Sequence, residues 1–136
     1  MSLISSLLPV PWAADALASA LCSAQLRAPD LGVCLRLLVL SPLLEECVVR
    51  AGLQEWLMRR QSLLLPQSPM AARAWPMVAS TAAFSLLHLG SGWHAALAVL
   101  APGLALALLY QRTRRWWWCA LVHSGFNAFA ISVCSL

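Results

Sequence analysis

Apolar residues along this chain come in runs long enough to cross a bilayer. Between Arg73 and Arg112 there is no Asp, Glu, Lys or Arg, and the run is broken by Gly90, Ser91 and Gly92. About 20 apolar residues span a bilayer as a helix, so this stretch predicts a helical hairpin over 73–90 and 93–111. After Arg115 the uncharged run from Trp116 to Leu136 predicts one further helix over 115–135. Residues 31–58 are rich in Leu and Val but carry Arg36, Glu45, Glu46, Arg50 and Glu55, a pattern that fits a polar-lined bundle helix better than a lipid-facing one. Residues 2–26 make a fifth element, interrupted by Pro9, Pro11 and Asp15. Trp12 to Leu26 would extend only about 22 Å at helical rise, so this element is read as interfacial or as a short span. No Lys or Arg precedes the apolar run, which argues against a cleaved signal peptide. The expected fold class is all-α: a multi-pass transmembrane helical bundle of about five helices. It forms a single domain over 1–136 with a motif-bearing core at 31–135, and 60–72, with Pro66 and Pro69, is a linker within it.

Composition strengthens the membrane reading. Of 136 residues, 61% are hydrophobic and 10% charged, with a mean hydropathy of +0.76, against roughly 25% charged in soluble domains. So apolar a chain is a poor nucleic-acid binder despite its net charge of +4. With the helices above, Arg59, Arg60, Arg73, Arg112, Arg114 and Arg115 fall on one side, and only Arg27 and Arg36 lie toward the other. The positive-inside rule then puts loops 59–73 and 112–115 in the cytoplasm and the C-terminus outside. Trp116, Trp117 and Trp118 follow the second arginine cluster as an aromatic belt would. Every basic residue is Arg, a bias of GC-rich bacterial genomes, so the expected location is a bacterial inner membrane. Cys22, Cys34, Cys47, Cys119 and Cys134 show no CxxC or zinc-ribbon spacing and are read as small apolar packing residues.

Against this background the polar residues inside the spans stand out. Glu45 and Glu46 are two of only five acidic residues, and an ionisable side chain at membrane depth costs roughly 2.5–3.5 kcal/mol on insertion scales. Glu46 and Arg50 are four apart with the acid first, the favourable order for an ion pair on one helix face. Glu45 is turned about 100° from Glu46, which leaves it without a local partner and free to face a cavity. Phe84 and His88 share a face on the third helix, with Thr81 and Ser85 near the same stripe; His123 and Asn127 share one on the fifth. Counted from the cytoplasmic helix ends, Glu45, His88, His123 and Asn127 lie about 12–22 Å deep. A glutamate removed from bulk water can accept a proton from a water molecule, and a histidine beside it can hold that water or shuttle the proton. A second histidine and an amide N–H can donate to the oxyanion that forms when water attacks a carbonyl. No GxSxG nucleophile motif is present, and Ser124 beside His123 does not supply one.

These residues carry a resemblance. Glu45-Glu46-Cys-Val-Val-Arg50 matches EExxxR, Phe84-Ser-Leu-Leu-His88 matches FxxxH, and His123-Ser-Gly-Phe-Asn127 matches HxxxN. Together and in this order they resemble the CPBP family, the Rce1-like, Abi or CAAX-type intramembrane proteases, over about residues 31–135. The resemblance implies hydrolysis of a peptide bond in a membrane-associated peptide or protein. It makes Glu45 the base that activates water, His88 its partner, His123 and Asn127 the oxyanion site, and Glu46, Arg50 and Phe84 supporting residues. Larger members have around eight spans. This chain has five at most, which favours short C-terminal sorting signals or secreted peptides as substrates over prenylated proteins.

Other readings remain open. His88, His123 and Glu45 or Glu46 could form a His₂Glu zinc site, although the HExxH pairing that usually supplies one is absent. The expectation is therefore no cofactor, with a zinc-dependent protease as the alternative. A catalytically silent membrane protein that binds a partner, as in bacteriocin immunity, is the alternative from another class. Histidines and an amide between helices can also serve only as packing glue. His94 is read as interfacial, and Asp15 and Glu55 are unassigned.

Overall fold

The computed structural model describes residues 28–64 and 69–135, together with Cys22 and Leu26. These residues build five helices and, among them, no strand. Helix α1 runs over residues 31–64, α2 over Pro69–Leu87, α3 over Trp93–Ala98, α4 over Leu100–Thr113 and α5 over Trp116–Cys134. The helix expected at 2–26 lies outside the described residues apart from Cys22 and Leu26.

Helix α1 opens at Asp30, whose side chain accepts from the Val33 N–H at 2.8 Å and so satisfies one of the first-turn donors. Its winding changes along its length. Arg36–Leu40 and Cys47–Gln54 are π-helical, and between them lies the α-helical segment Ser41–Glu46 with Pro42 inside it. π-turns inside α-helices are uncommon and recur at functional sites. Here the two of them flank the adjacent acids. The early half of α1 packs on α5, its later half on α2, and α4 packs between α2 and α5.

Several expected boundaries move. The segment 59–73, expected as a loop, is helical on both sides: α1 continues to Leu64, with Arg59 Nε bonded back to Glu55 at 2.9 Å, and α2 begins at Pro69. The connection at 65–68 lies outside the described residues. The helix expected over 93–111 is two helices. Pro102 has no N–H to give the Ala98 carbonyl, so winding lapses at Val99 and restarts with Pro102 in the first turn of α4. Gly92, at φ +105°, makes the turn into α3 in a backbone region that side chains disfavour. The 112–115 loop shrinks to Arg114 and Arg115, where Arg114 holds a left-handed φ of 56°. Glu55 secures that turn: its Oε2 accepts from Arg114 Nη1 at 2.7 Å and from the Tyr110 hydroxyl at 3.0 Å.

Polarity is inverted relative to a water-soluble bundle. Glu46, Arg50, Gln54 and Ser80 are fully buried, while Leu31, Met70, Leu86 and Phe129 are more than half exposed. Among the described residues one helix, Trp116–Cys134, is long and apolar enough to cross a membrane. Of the others, α1 carries charge along its length, and the 93–111 apolar run is split. The cysteine reading needs correcting. Cys22 and Cys134 form a disulfide across 112 residues of sequence, with Cα atoms 5.4 Å apart. Sequence spacing gave no sign of it, because the bond joins the segment before α1 to the far end of α5. Cys119 does act as a packing residue, buried against Leu106 and Tyr110.

Candidate active site

The site is organised by a ladder of three residues spaced four apart on α1. Glu46, Arg50 and Gln54 stand one turn apart on a single face, all fully buried. Arg50 Nε donates to Glu46 Oε2 at 2.8 Å, Nη1 to Ser80 Oγ at 3.0 Å and Gln54 Oε1 at 3.3 Å, and Nη2 to the Gly103 carbonyl at 3.0 Å. Gln54 Nε2 donates to the Ala107 carbonyl at 2.9 Å, so the ladder joins α1 to α2 and α4. A buried guanidinium is tolerable only when its donors are met, and every nitrogen of this one has a partner. Its carbon also lies 5.5 Å from the centre of the Phe84 ring, a cation–π contact. Gly103 permits this approach: a Cβ there would come within 3.0 Å of the Phe84 ring.

The second oxygen of Glu46 faces α5. His123 Nδ1 and Glu46 Oε1 are 3.0 Å apart. An ion-paired carboxylate accepts only, so the hydrogen sits on His123 Nδ1 and the Nε2 edge points the other way. His88 is oriented similarly. Its Nδ1 lies 2.9 Å from the Phe84 carbonyl, which also can only accept, so Nδ1 carries the hydrogen and Nε2 is turned outward. The Phe84 ring is wedged between the imidazoles, with centroids 4.9 Å from His88 and 5.3 Å from His123.

Both Nε2 atoms converge on one atom. Glu45 Oε2 lies 4.0 Å from His88 Nε2 and 3.9 Å from His123 Nε2, and it is buried with no hydrogen-bond partner. Neither separation is itself a hydrogen bond, but one oxygen atom about 2.8 Å from both ends bridges either gap. Residues from α1, from the turn that follows α2, where His88 sits one position past the helix end expected to hold it, and from α5 therefore meet at Glu45.

Beside them lies a cavity of about 650 Å³, lined by Phe84, His88, His123, Asn127, Phe129 and Cys134 among others. Its walls are largely apolar. Glu45 is not among the residues lining this cavity, whereas His88 and His123, whose Nε2 atoms face its Oε2, are. Asn127 lines the cavity, yet its Nδ2 donates to the Leu37 carbonyl at 2.7 Å. Only one of its two amide hydrogens is thereby left over. Gln54 and Ser80 escaped the sequence reading. Gln54 was findable, since it extends the Glu46–Arg50 spacing by one more turn; Ser80 comes from another helix and carries no local signal. His94 stacks on Trp93, with ring centroids 3.6 Å apart, outside this cluster.

Among the described residues no group of three or more His, Cys, Asp or Glu is placed to hold a metal ion. Compared with known protein families, residues 27–129 match the family described as Type II CAAX prenyl endopeptidase Rce1-like. The match spans most of the chain, which belongs to this Rce1-like family of membrane-embedded CAAX-type proteases. Neither a curated protein nor a solved structure gives a significant match.

Proposed function

We propose that the protein is a multi-pass intramembrane endopeptidase in which Glu45 activates water without a metal or a covalent intermediate. One observation carries this reading: the buried, unpartnered Glu45 Oε2 faces the Nε2 atoms of both His88 and His123 at 3.9–4.0 Å, beside a largely apolar cavity. In the proposed step, a water held by Glu45 and His88 attacks the scissile carbonyl carbon and gives its proton to Glu45. The carbonyl oxygen becomes an oxyanion stabilised by the free amide hydrogen of Asn127 and by His123, which its Nδ1–H holds on Glu46. Collapse of the tetrahedral species breaks the C–N bond, and the proton held by Glu45 passes to the departing amine. Glu46 and Arg50 hold the histidine and the helices in place.

The buried polar ladder, the exposed apolar surface and the family all support a bundle embedded in the bilayer. The disulfide supports its orientation. Disulfides persist in oxidising compartments, and Cys134 ends α5 opposite to Arg114 and Arg115, so the C-terminal end of α5 faces outside and the arginine-rich end the cytoplasm. A bacterial inner membrane with short peptide signals as substrates remains the preferred setting.

The test is hydrolysis, by purified protein in liposomes, of quenched fluorescent peptides ending in a short C-terminal sorting signal or in a CAAX sequence with and without its prenyl group, the best-cleaved peptide serving for the variants. Glu45→Gln keeps the shape and removes the base, and it is expected to lower kcat by about 10²–10⁴-fold. Full activity in a correctly inserted Glu45→Gln protein would overturn the assignment.

A further inference from the structure

Pro42 lies in the interior of α1, fully buried, three residues before Glu45. In this part of the helix the Ser41 N–H reaches back five residues to the Arg36 carbonyl. Residue 42 has no N–H to continue the series. The carbonyl it would meet is that of Leu37 in π-register or Leu38 in α-register, and these two are the carbonyls that receive side chains from α5. Asn127 Nδ2 donates to Leu37 O at 2.7 Å, and Ser124 Oγ to Leu38 O at 2.6 Å; the hydroxyl also lies 2.9 Å from Ala120 O in its own helix. Ser124 and Asn127 are three apart and share a helix face. Membrane helices tolerate internal proline when neighbouring side chains meet the carbonyls it leaves.

We infer that Pro42, Ser124 and Asn127 form a lock that sets the register of α1 against α5, and that Ser124 and Pro42 are positioning residues for the catalytic group. The lock sits between the two halves of the site. Glu45 follows Pro42 by less than one turn, and His123 immediately precedes Ser124. A slip at Leu38 therefore moves Glu45 Oε2 relative to His123 Nε2. The lock also spends one hydrogen of the Asn127 amide on Leu37, which fixes the amide plane and leaves the second hydrogen for the cavity that Asn127 lines. The inference rests on the proposed glutamate mechanism for its catalytic consequence, but the lock itself is a matter of helix packing.

A double-mutant cycle on Pro42→Ala and Ser124→Ala tests it, with Ser124→Thr as the hydroxyl-retaining control. Ser124→Ala is expected to lower kcat on the peptide above by about tenfold with KM unchanged, as a small misplacement of reacting groups does. Ser124→Thr is expected to restore it. In the Pro42→Ala background, where residue 42 has its own N–H for these carbonyls, Ser124→Ala is expected to have little further effect on kcat or on the thermal midpoint in detergent. Equal kcat for the Ala and Thr variants, or strictly additive effects, would overturn the lock. The three histidines of the chain allow a second readout that needs no turnover. The ring ¹⁵N shifts of His123 should move in Ser124→Ala and return in Ser124→Thr. If they do so while Glu45→Gln remains active, the glutamate mechanism fails and the lock stands; unmoved shifts count against the lock whatever the activity.

Discussion

Glu46 and His123, 77 positions apart in sequence, are joined by a 3.0 Å hydrogen bond in which Oε1 accepts from Nδ1, while the other oxygen of Glu46 accepts from Arg50 at 2.8 Å. One carboxylate thus ties the buried cation of α1 to the histidine of α5. Its two duties can be separated. Glu46→Gln leaves Arg50 charged and buried without a counter-charge, and the expected cost is about 3–5 kcal/mol of stability. Replacing both partners, Glu46→Leu with Arg50→Met, removes both charges and should recover much of the thermal midpoint measured in detergent. It should not recover hydrolysis, because His123 Nδ1 still lacks its acceptor. A double variant as active as the wild type would show that Glu46 does not orient His123.

Gly103→Ala tests the closeness of α4 and α2. The added methyl would lie 3.0 Å from Phe84 Cδ1 and 3.6 Å from Thr81 Cγ2, so the Phe84 ring must give way. That ring packs against both imidazoles and under Arg50. Overpacking of this kind costs about 1–3 kcal/mol. Thermal unfolding should show that loss, and kcat should fall with it as the histidines shift. A variant with wild-type stability and activity would mean that the Phe84 ring can move without disturbing the site.

What could be read from the chain, and what could not, follows from whether the physics is local. Glu46 and Arg50 are a four-residue pair on one helix, so spacing alone predicts their contact. The apolar runs around His88 and His123 likewise predict helices. Gln54 is one more turn along the same helix, but the remaining partners of Arg50, Ser80 and the Gly103 carbonyl, are 30 and 53 positions away, and no window along the sequence contains them. Hydropathy is blind to backbone hydrogen bonds as well. It joins 93–111 into one span, although Pro102 splits it, and it says nothing of the π-turns around the acids. The approach of His88 and His123 to Glu45 is likewise set by packing between elements far apart in sequence.

Metal dependence separates the glutamate mechanism from the zinc alternative. Purified protein is expected to contain substoichiometric zinc by elemental analysis and to keep its hydrolytic rate after treatment with a chelator. Stoichiometric zinc, with activity lost to the chelator and restored by the metal, would replace Glu45 as the activator of water with a His₂Glu site.

The disulfide makes the orientation of the bundle testable. Cys22 and Cys134 are bonded, whereas Cys34, Cys47 and Cys119 are free. In intact cells expressing a variant that lacks those three free cysteines, a membrane-impermeant maleimide should label nothing before reduction. After mild reduction with an impermeant phosphine it should label Cys22 and Cys134 from outside. The closed loop is long, and a bridge across about 100 residues is worth roughly 4–5 kcal/mol in the chain-entropy account, so the reduced protein should also unfold at a lower temperature. Labelling that requires permeabilised cells would place the end of α5 in the cytoplasm. The arginines at 59, 60, 112, 114 and 115 would then face outward, and the proposed orientation would be reversed.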